Sequence, residues 1–173
     1  TFHIMSMRSF IAFELLFYDQ QNIYLFIIGD NDNDYGKQLV ESTNKLKSRE
    51  KIYFTGKKQN IMGYYSIADI FVLPTLNEGR KEGCPVALLE AMACGLPVLA
   101  SNISGINEII GQYADCIFEA SNWNQLYQSL TKFMLNIDSY KLLGQRLLQN
   151  VNNKYNIDIE VTKHSKLYLS IFD

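Results

Sequence analysis

Short apolar runs, closed by glycine, proline or polar breaks, organise the chain up to Asn122. Tyr24-Leu25-Phe26-Ile27-Ile28 ends in Gly29-Asp30, and Ile70-Phe71-Val72-Leu73 is stopped by Pro74. Continuous runs of this length predict strands buried on both faces, as in a parallel sheet. Ile52-Tyr53-Phe54 before Thr55-Gly56, Val98-Leu99-Ala100 and Cys116-Ile117-Phe118 read the same way. Between them lie stretches of helical character at 10–17, 35–48, 61–68, 86–93 and 105–110. The first, FIAFELLF, is densely apolar, and its spacing puts Glu14 on the solvent side. The helix at 86–93 has Gly95 just past its end and Pro97 beyond, residues that stop helices. From Asn122 onward the pattern is helical only, over 126–135, 140–151 and 157–171.

Strands alternating with helices predict an α/β fold, a Rossmann-like doubly wound parallel sheet followed by C-terminal helices. Right-handed crossovers gather the loops after the strands on one rim, where ligands of such sheets bind. The loops after Ile28, Phe54, Leu73, Ala100 and Phe118 are therefore the ones to inspect. A length of 173 residues suits a single domain, taken as 1–173. A formal charge of −2 provides no overall basic field for nucleic acid or an acidic membrane. Cys84, Cys94 and Cys116 have no CxxC spacing, which argues against a disulfide framework or zinc site and for a reducing compartment. No apolar run reaches transmembrane length. The opening residues, Thr1 to Met7, show neither an initiator Met nor a signal-peptide pattern, and read as a cut into a longer protein.

The loop after Leu73 carries the chemistry. Its residues Glu82, Gly83, Cys84 and Pro85 leave a buried strand and enter the helix at 86–93. The positive helix end, with free N–H groups near Gly83 to Ala87, suits an anionic group such as a diphosphate. Gly83 lets backbone approach a ligand closely, and Pro85 loses no ladder bond at a helix start. Glu90, one to two turns into an otherwise apolar helix, can accept paired hydrogen bonds from vicinal ribose hydroxyls. Glu82 can accept from hexose hydroxyls. The competing reading is electrostatic only: acidic residues before a helix are favoured by its dipole, and helical Glu is usually a solvated surface group.

The run from Glu82 to Ser101, EGCPVALLEAMACGLPVLAS, resembles the E-x7-E signature of the retaining glycosyltransferases of the GT-B fold, family 4. Four further elements resemble that family in order: residues 23–30, 52–56, 64–74 and 104–110, the last with Asn107 where Pro is usual. The resemblance implies the C-terminal, donor-binding half of a GT-B enzyme, transferring a hexose from a nucleotide-diphosphate sugar to a glycan or lipid-linked acceptor. Glu82 would be the catalytic-site residue contacting the transferred sugar, and Glu90 would bind the donor ribose. Gly83, Cys84, Pro85, Val86 and Ala87 would form the backbone cradle, with Pro85 standing where many members carry Gly. Lys58, beside Lys57, would edge the nucleobase. The resemblance implies no metal and no other cofactor. It also implies an N-terminal domain beyond this chain and an Arg/Lys pair for the diphosphate upstream of Thr1. Arg8 stands too close to Ala12-Phe13 to be one of them. The 173 residues alone are thus expected to be inactive, and the enzyme is expected in the cytoplasm or peripheral at the inner face of the cytoplasmic membrane. The alternatives are a sugar-nucleotide epimerase of the same fold, or a non-catalytic partner-binding domain in a polysaccharide assembly complex.

Asp30-Asn31-Asp32-Asn33-Asp34 imitates a calcium loop, but Tyr35 stands where such a loop needs Gly. A polar turn capping the next helix is the reading preferred here.

Overall fold

The computed structural model describes residues 9–76 and 83–172. In chain order the elements are α1 (Ser9–Asp19), β1 (Leu25–Ile28), α2 (Asp34–Thr43), β2 (Ile52–Gly56), α3 (Met62–Ile67) and β3 (Phe71–Leu73). Then come α4 (Val86–Ala93), β4 (Val98–Ser101), α5 (Ser104–Ile110), β5 (Ile117–Phe118), α6 (Trp123–Leu135), α7 (Ile137–Lys154) and α8 (Ile157–Phe172). All described strand pairs are parallel, as the continuous apolar runs predict, but β1 and β2 are not buried on both faces: Phe26 and Tyr53 stand exposed on one side and stack on each other. They form two hydrogen-bonded groups, β1-β2 and β3-β4-β5. This is the Rossmann-like α/β architecture, with β1 and β3 not bonded to each other among the described residues.

α1 lies across both groups. Phe10 and Phe13 pack with Leu39 and Ile52, while Ala12 packs with Leu99, Phe118 and Leu126. The aromatic side of the first helix is thus mostly core, although Tyr18 near its end is exposed. The main core lies between α4, α5, α7 and the β3-β4-β5 group, where Leu73, Leu88, Met92, Val98, Ile106, Ile110 and Leu147 are fully buried.

The second helix is shorter than its sequence suggests, ending at Thr43 instead of near Ser48. The hydroxyls of Ser42 and Thr43 donate to the carbonyls of Leu39 and Val40, local bonds that compete with helix continuation. The backbone N–H groups of Lys47 and Ser48 then go to the Glu14 carboxylate at 2.9 and 3.0 Å, and the Ser48 hydroxyl donates to it as well. Glu14 is therefore only partly exposed, and it clamps the α2–β2 connection instead of facing water.

The acidic stretch before α2 works as a cap. The Asn33 side chain accepts from Gly36 N at 2.8 Å, and Asp30 Oδ1 accepts from Asp32 N at 3.0 Å. Replacing Asn33 with alanine is expected to lower stability by about 1 kcal/mol in denaturant unfolding. Among the described residues no helix is long and apolar enough to cross a membrane.

Candidate functional site

Helix α4 is nearly all apolar, so the core takes most of its surface. Ala87, Leu88, Ala91 and Met92 are buried, which leaves Val86, Leu89, Glu90 and Ala93 on the remaining stripe. Glu90 is half-buried at the middle of that stripe. The helix ends as its glycine predicts: Gly95 takes φ +72°. Gly95 N donates to Met92 O at 2.9 Å and Leu96 N to Ala91 O at 3.1 Å, the paired bonds of a Schellman stop.

The start of α4 carries no side-chain cap. Pro85, extended and buried at the N-cap position, offers only its carbonyl, which accepts from Leu88 N at 3.0 Å and Leu89 N at 3.4 Å. The N–H groups of Val86 and Ala87 therefore have no partner within the helix, and they point out of its positive end. Gly83 and Cys84 precede them and are exposed. A Cβ built on Gly83 meets nothing within 4 Å, so no neighbour among the described residues demands a glycine there. Glu82 and Arg8 lie outside the described residues.

After β1 and β2, Lys57 Nζ bridges to Asp30 Oδ2 at 2.8 Å. The hydrogen bond from Lys57, followed by that from Asp32 N, holds the Asp30 carboxyl below its ordinary pKa. Lys58, the next residue, is exposed on the loop after β2. After β4, Asn107 donates to Asn102, whose own amide donates to Glu119 Oε1 at 2.7 Å. The residue that departs from the family pattern at 107 is thus engaged in a side-chain network with the loop after β4.

Three polar residues near the strand ends and α4 escaped the sequence reading. Thr75, just after β3, and Ser101, at the end of β4, bury their hydroxyl oxygens with no hydrogen-bond partner among the described residues. Unpaired buried hydroxyls are costly, and two at the carboxyl ends of adjacent strands mark the rim as polar inside. Tyr65 of α3 is the third: its hydroxyl donates to Glu90 Oε2 at 3.4 Å and to Ala87 O at 3.3 Å. A tyrosine inside a short apolar helix carries no sequence signal of such a contact. Cys94, close to Glu90, has its thiol pKa raised by burial first and by the Glu90 charge second.

The family model for "Glycosyl transferases group 1" matches residues 8–147 of the chain. The chain belongs to the group 1 glycosyltransferases. It is 42% identical over 86 residues to the amylovoran biosynthesis glycosyltransferase AmsK of Erwinia amylovora, covering 49% of this chain and 21% of that protein. It is 28% identical over 148 residues to the UDP-Gal:α-D-GlcNAc-diphosphoundecaprenol α-1,3-galactosyltransferase of Escherichia coli, covering 84% of this chain and 36% of that one. Among solved structures, Anabaena HepE in complex with UDP superposes with a TM-score of 0.84 at 15% identity, over 94% of this chain and 44% of HepE. The group 1 chain thus spans less than half the length of these relatives. At that identity HepE speaks for the fold alone: the Rossmann-like C-terminal half of a GT-B glycosyltransferase.

Proposed function

We propose that this group 1 chain is the donor-binding half of a two-domain, family 4 retaining glycosyltransferase, which transfers a hexose from a nucleotide-diphosphate sugar. The observation that carries the reading is the uncapped, positive start of α4 with Glu90 half-buried on its only open stripe. The N–H groups of Val86 and Ala87, with the backbone at Gly83, Cys84 and Pro85, would receive the sugar and diphosphate. Glu90 would accept from the ribose hydroxyls and Glu82 from the transferred sugar, while Lys58 would border the base. As the glycosidic bond to the diphosphate breaks, negative charge grows on the leaving oxygen. Preorganised N–H dipoles at a helix end stabilise that charge without reorganisation. An Arg/Lys pair upstream of Thr1 would complete the clamp, and no metal is required by this scheme.

A UDP complex of a protein with the same fold, and a relative named for a UDP-sugar donor and a lipid-linked acceptor, support a nucleotide-sugar donor and a glycan or lipid-linked acceptor. The acceptor would be held by an N-terminal domain, with the enzyme cytoplasmic or peripheral at the inner membrane face.

Isothermal titration of the full-length protein with UDP and with GDP tests the reading. One of them is expected to bind, and Glu90→Ala is expected to weaken it by about ten- to a hundredfold, the loss of one to two charge-assisted hydrogen bonds. Undiminished binding by Glu90→Ala overturns the ribose assignment.

A further inference from the structure

We propose that Tyr65 is the positioning residue for Glu90: its hydroxyl fixes the carboxylate for the paired ribose hydroxyls and so sets a preference for ribo- over 2′-deoxyribonucleotide donors. The proposal rests on the donor-site reading of Glu90 given above. Tyr65 sits on α3 with 6% of its surface exposed. Its ring packs edge-to-face on Phe71 of β3, centroids 5.9 Å apart at 76°. Clamped this way, the phenol does not swing out. Its single O–H is shared between two acceptors of α4, Ala87 O at 3.3 Å and Glu90 Oε2 at 3.4 Å.

The two acceptors differ in kind. Ala87 O belongs to the helix backbone and cannot move independently. It anchors the hydroxyl, and the hydroxyl in turn anchors Oε2. Burial first, then the charge and hydrogen bond of Glu90, raise the Tyr65 pKa far above the ordinary phenol range. Tyr65 therefore remains a proton donor at every working pH. Apart from this bond, the Glu90 carboxylate has no hydrogen-bond partner among the described residues. Among the described residues, nothing occupies Oε1 or the second lone pair of Oε2. An unrestrained glutamate on a helix surface samples several rotamers and loses that freedom on binding. A carboxylate held in advance avoids the ordering cost, which is the usual route by which a buried neighbour raises affinity.

The experiment compares wild type, Tyr65→Phe, Glu90→Ala and the double variant of the full-length enzyme. Tyr65→Phe keeps the ring against Phe71 and removes only the hydroxyl. The readouts are calorimetric affinities for UDP and GDP and for the 2′-deoxy form of whichever binds, with donor KM and kcat. Tyr65→Phe is expected to weaken ribonucleotide binding by about three- to tenfold. It should raise donor KM more than it lowers kcat, and weaken the 2′-deoxynucleotide, which keeps only the 3′-hydroxyl bond to Glu90, by clearly less. The effect should vanish in the Glu90→Ala background, as double-mutant logic requires of coupled residues. Equal losses for both sugars, or losses that add to those of Glu90→Ala, reduce Tyr65 to a strut between α3 and α4 and overturn the proposal while sparing the donor site. A Glu90→Ala variant that binds every nucleotide as wild type does overturns the donor site, and the role of Tyr65 with it.

Discussion

Gly144→Ala is expected to destabilise the protein by about 2–3 kcal/mol, and Gly144→Val by more, the range typical of overpacking. Helix propensity alone predicts the opposite, because alanine is favoured over glycine inside a helix by about 1 kcal/mol. The sign is reversed by what α7 packs against. A Cβ on Gly144 would lie 2.2 Å from Gly95 O and 3.0 Å from Pro97 N. Both are backbone atoms, so neither can rotate aside. Gly95 N is bonded to Met92 O and its neighbour Leu96 N to Ala91 O, and Pro97 O accepts from Phe71 N at 3.0 Å. Relieving the clash therefore requires shifting α7 away from α4, beside the fully buried Leu147. Gly63 in α3 is the control, since a Cβ there meets nothing within 4 Å. Gly63→Ala should leave stability unchanged or raise it by up to about 1 kcal/mol. Denaturant midpoints of the two variants decide the matter: similar values would contradict the close α4–α7 packing.

Glu14→Ala is expected to cost about 2–3 kcal/mol, because it strands the two Ser48 donors that folding has removed from water. The carboxylate collects Lys47 N, Ser48 N and the Ser48 hydroxyl, and Ser48 is fully buried. The pH dependence follows from the same contacts. Burial raises the Glu14 pKa, but the Ser48 and Lys47 hydrogen bonds and the Lys47 charge outweigh it, so the folded value lies below 4.5. A depressed carboxyl pKa contributes stability that is complete above the unfolded value and lost as pH falls through the folded one. The stability gap between wild type and Glu14→Gln should therefore be constant from about pH 6 to 8 and narrow on acidification below about pH 4.5. A gap that widens in acid would show that the carboxylate is not the acceptor.

These two residues mark where pattern reading reaches its limit. Glu14 interrupts an apolar helix, and spacing alone assigns it to water. Its partners stand 33 and 34 residues away in a connection whose path is not encoded locally. Gly144 looks like a weak point in a long helix, whereas it is the point of closest approach to another element. The end of α2 was misread for a related reason: the stretch to Ser48 is helix-permissive in composition, but side-chain bonds from Ser42, Thr43 and Glu14 take the backbone elsewhere.

The site was more legible than its surroundings. Gly83, Cys84, Pro85, Val86, Ala87 and Glu90 are consecutive or one helical turn apart, so local rules suffice to bring them to one helix start. The same holds for the Gly95 stop and the Asn33 cap. Tyr65, Thr75 and Ser101 were missed because their significance depends on burial, which a hydroxyl in a short apolar segment does not advertise.

The sequence by itself determined the order of strands and helices and the parallel α/β class, and it singled out the start of α4 as the candidate site. It could do so because apolar period, glycine stops and proline breaks act within a few residues of one another. Only the tertiary structure decided that the strands bond in two groups, that Glu14 is a clamp, that Gly144 must stay small, and that Tyr65 reaches Glu90 across 25 residues of chain. Each of these is a contact between distant segments, set by how whole elements pack, and packing is a property of surfaces that no local pattern contains.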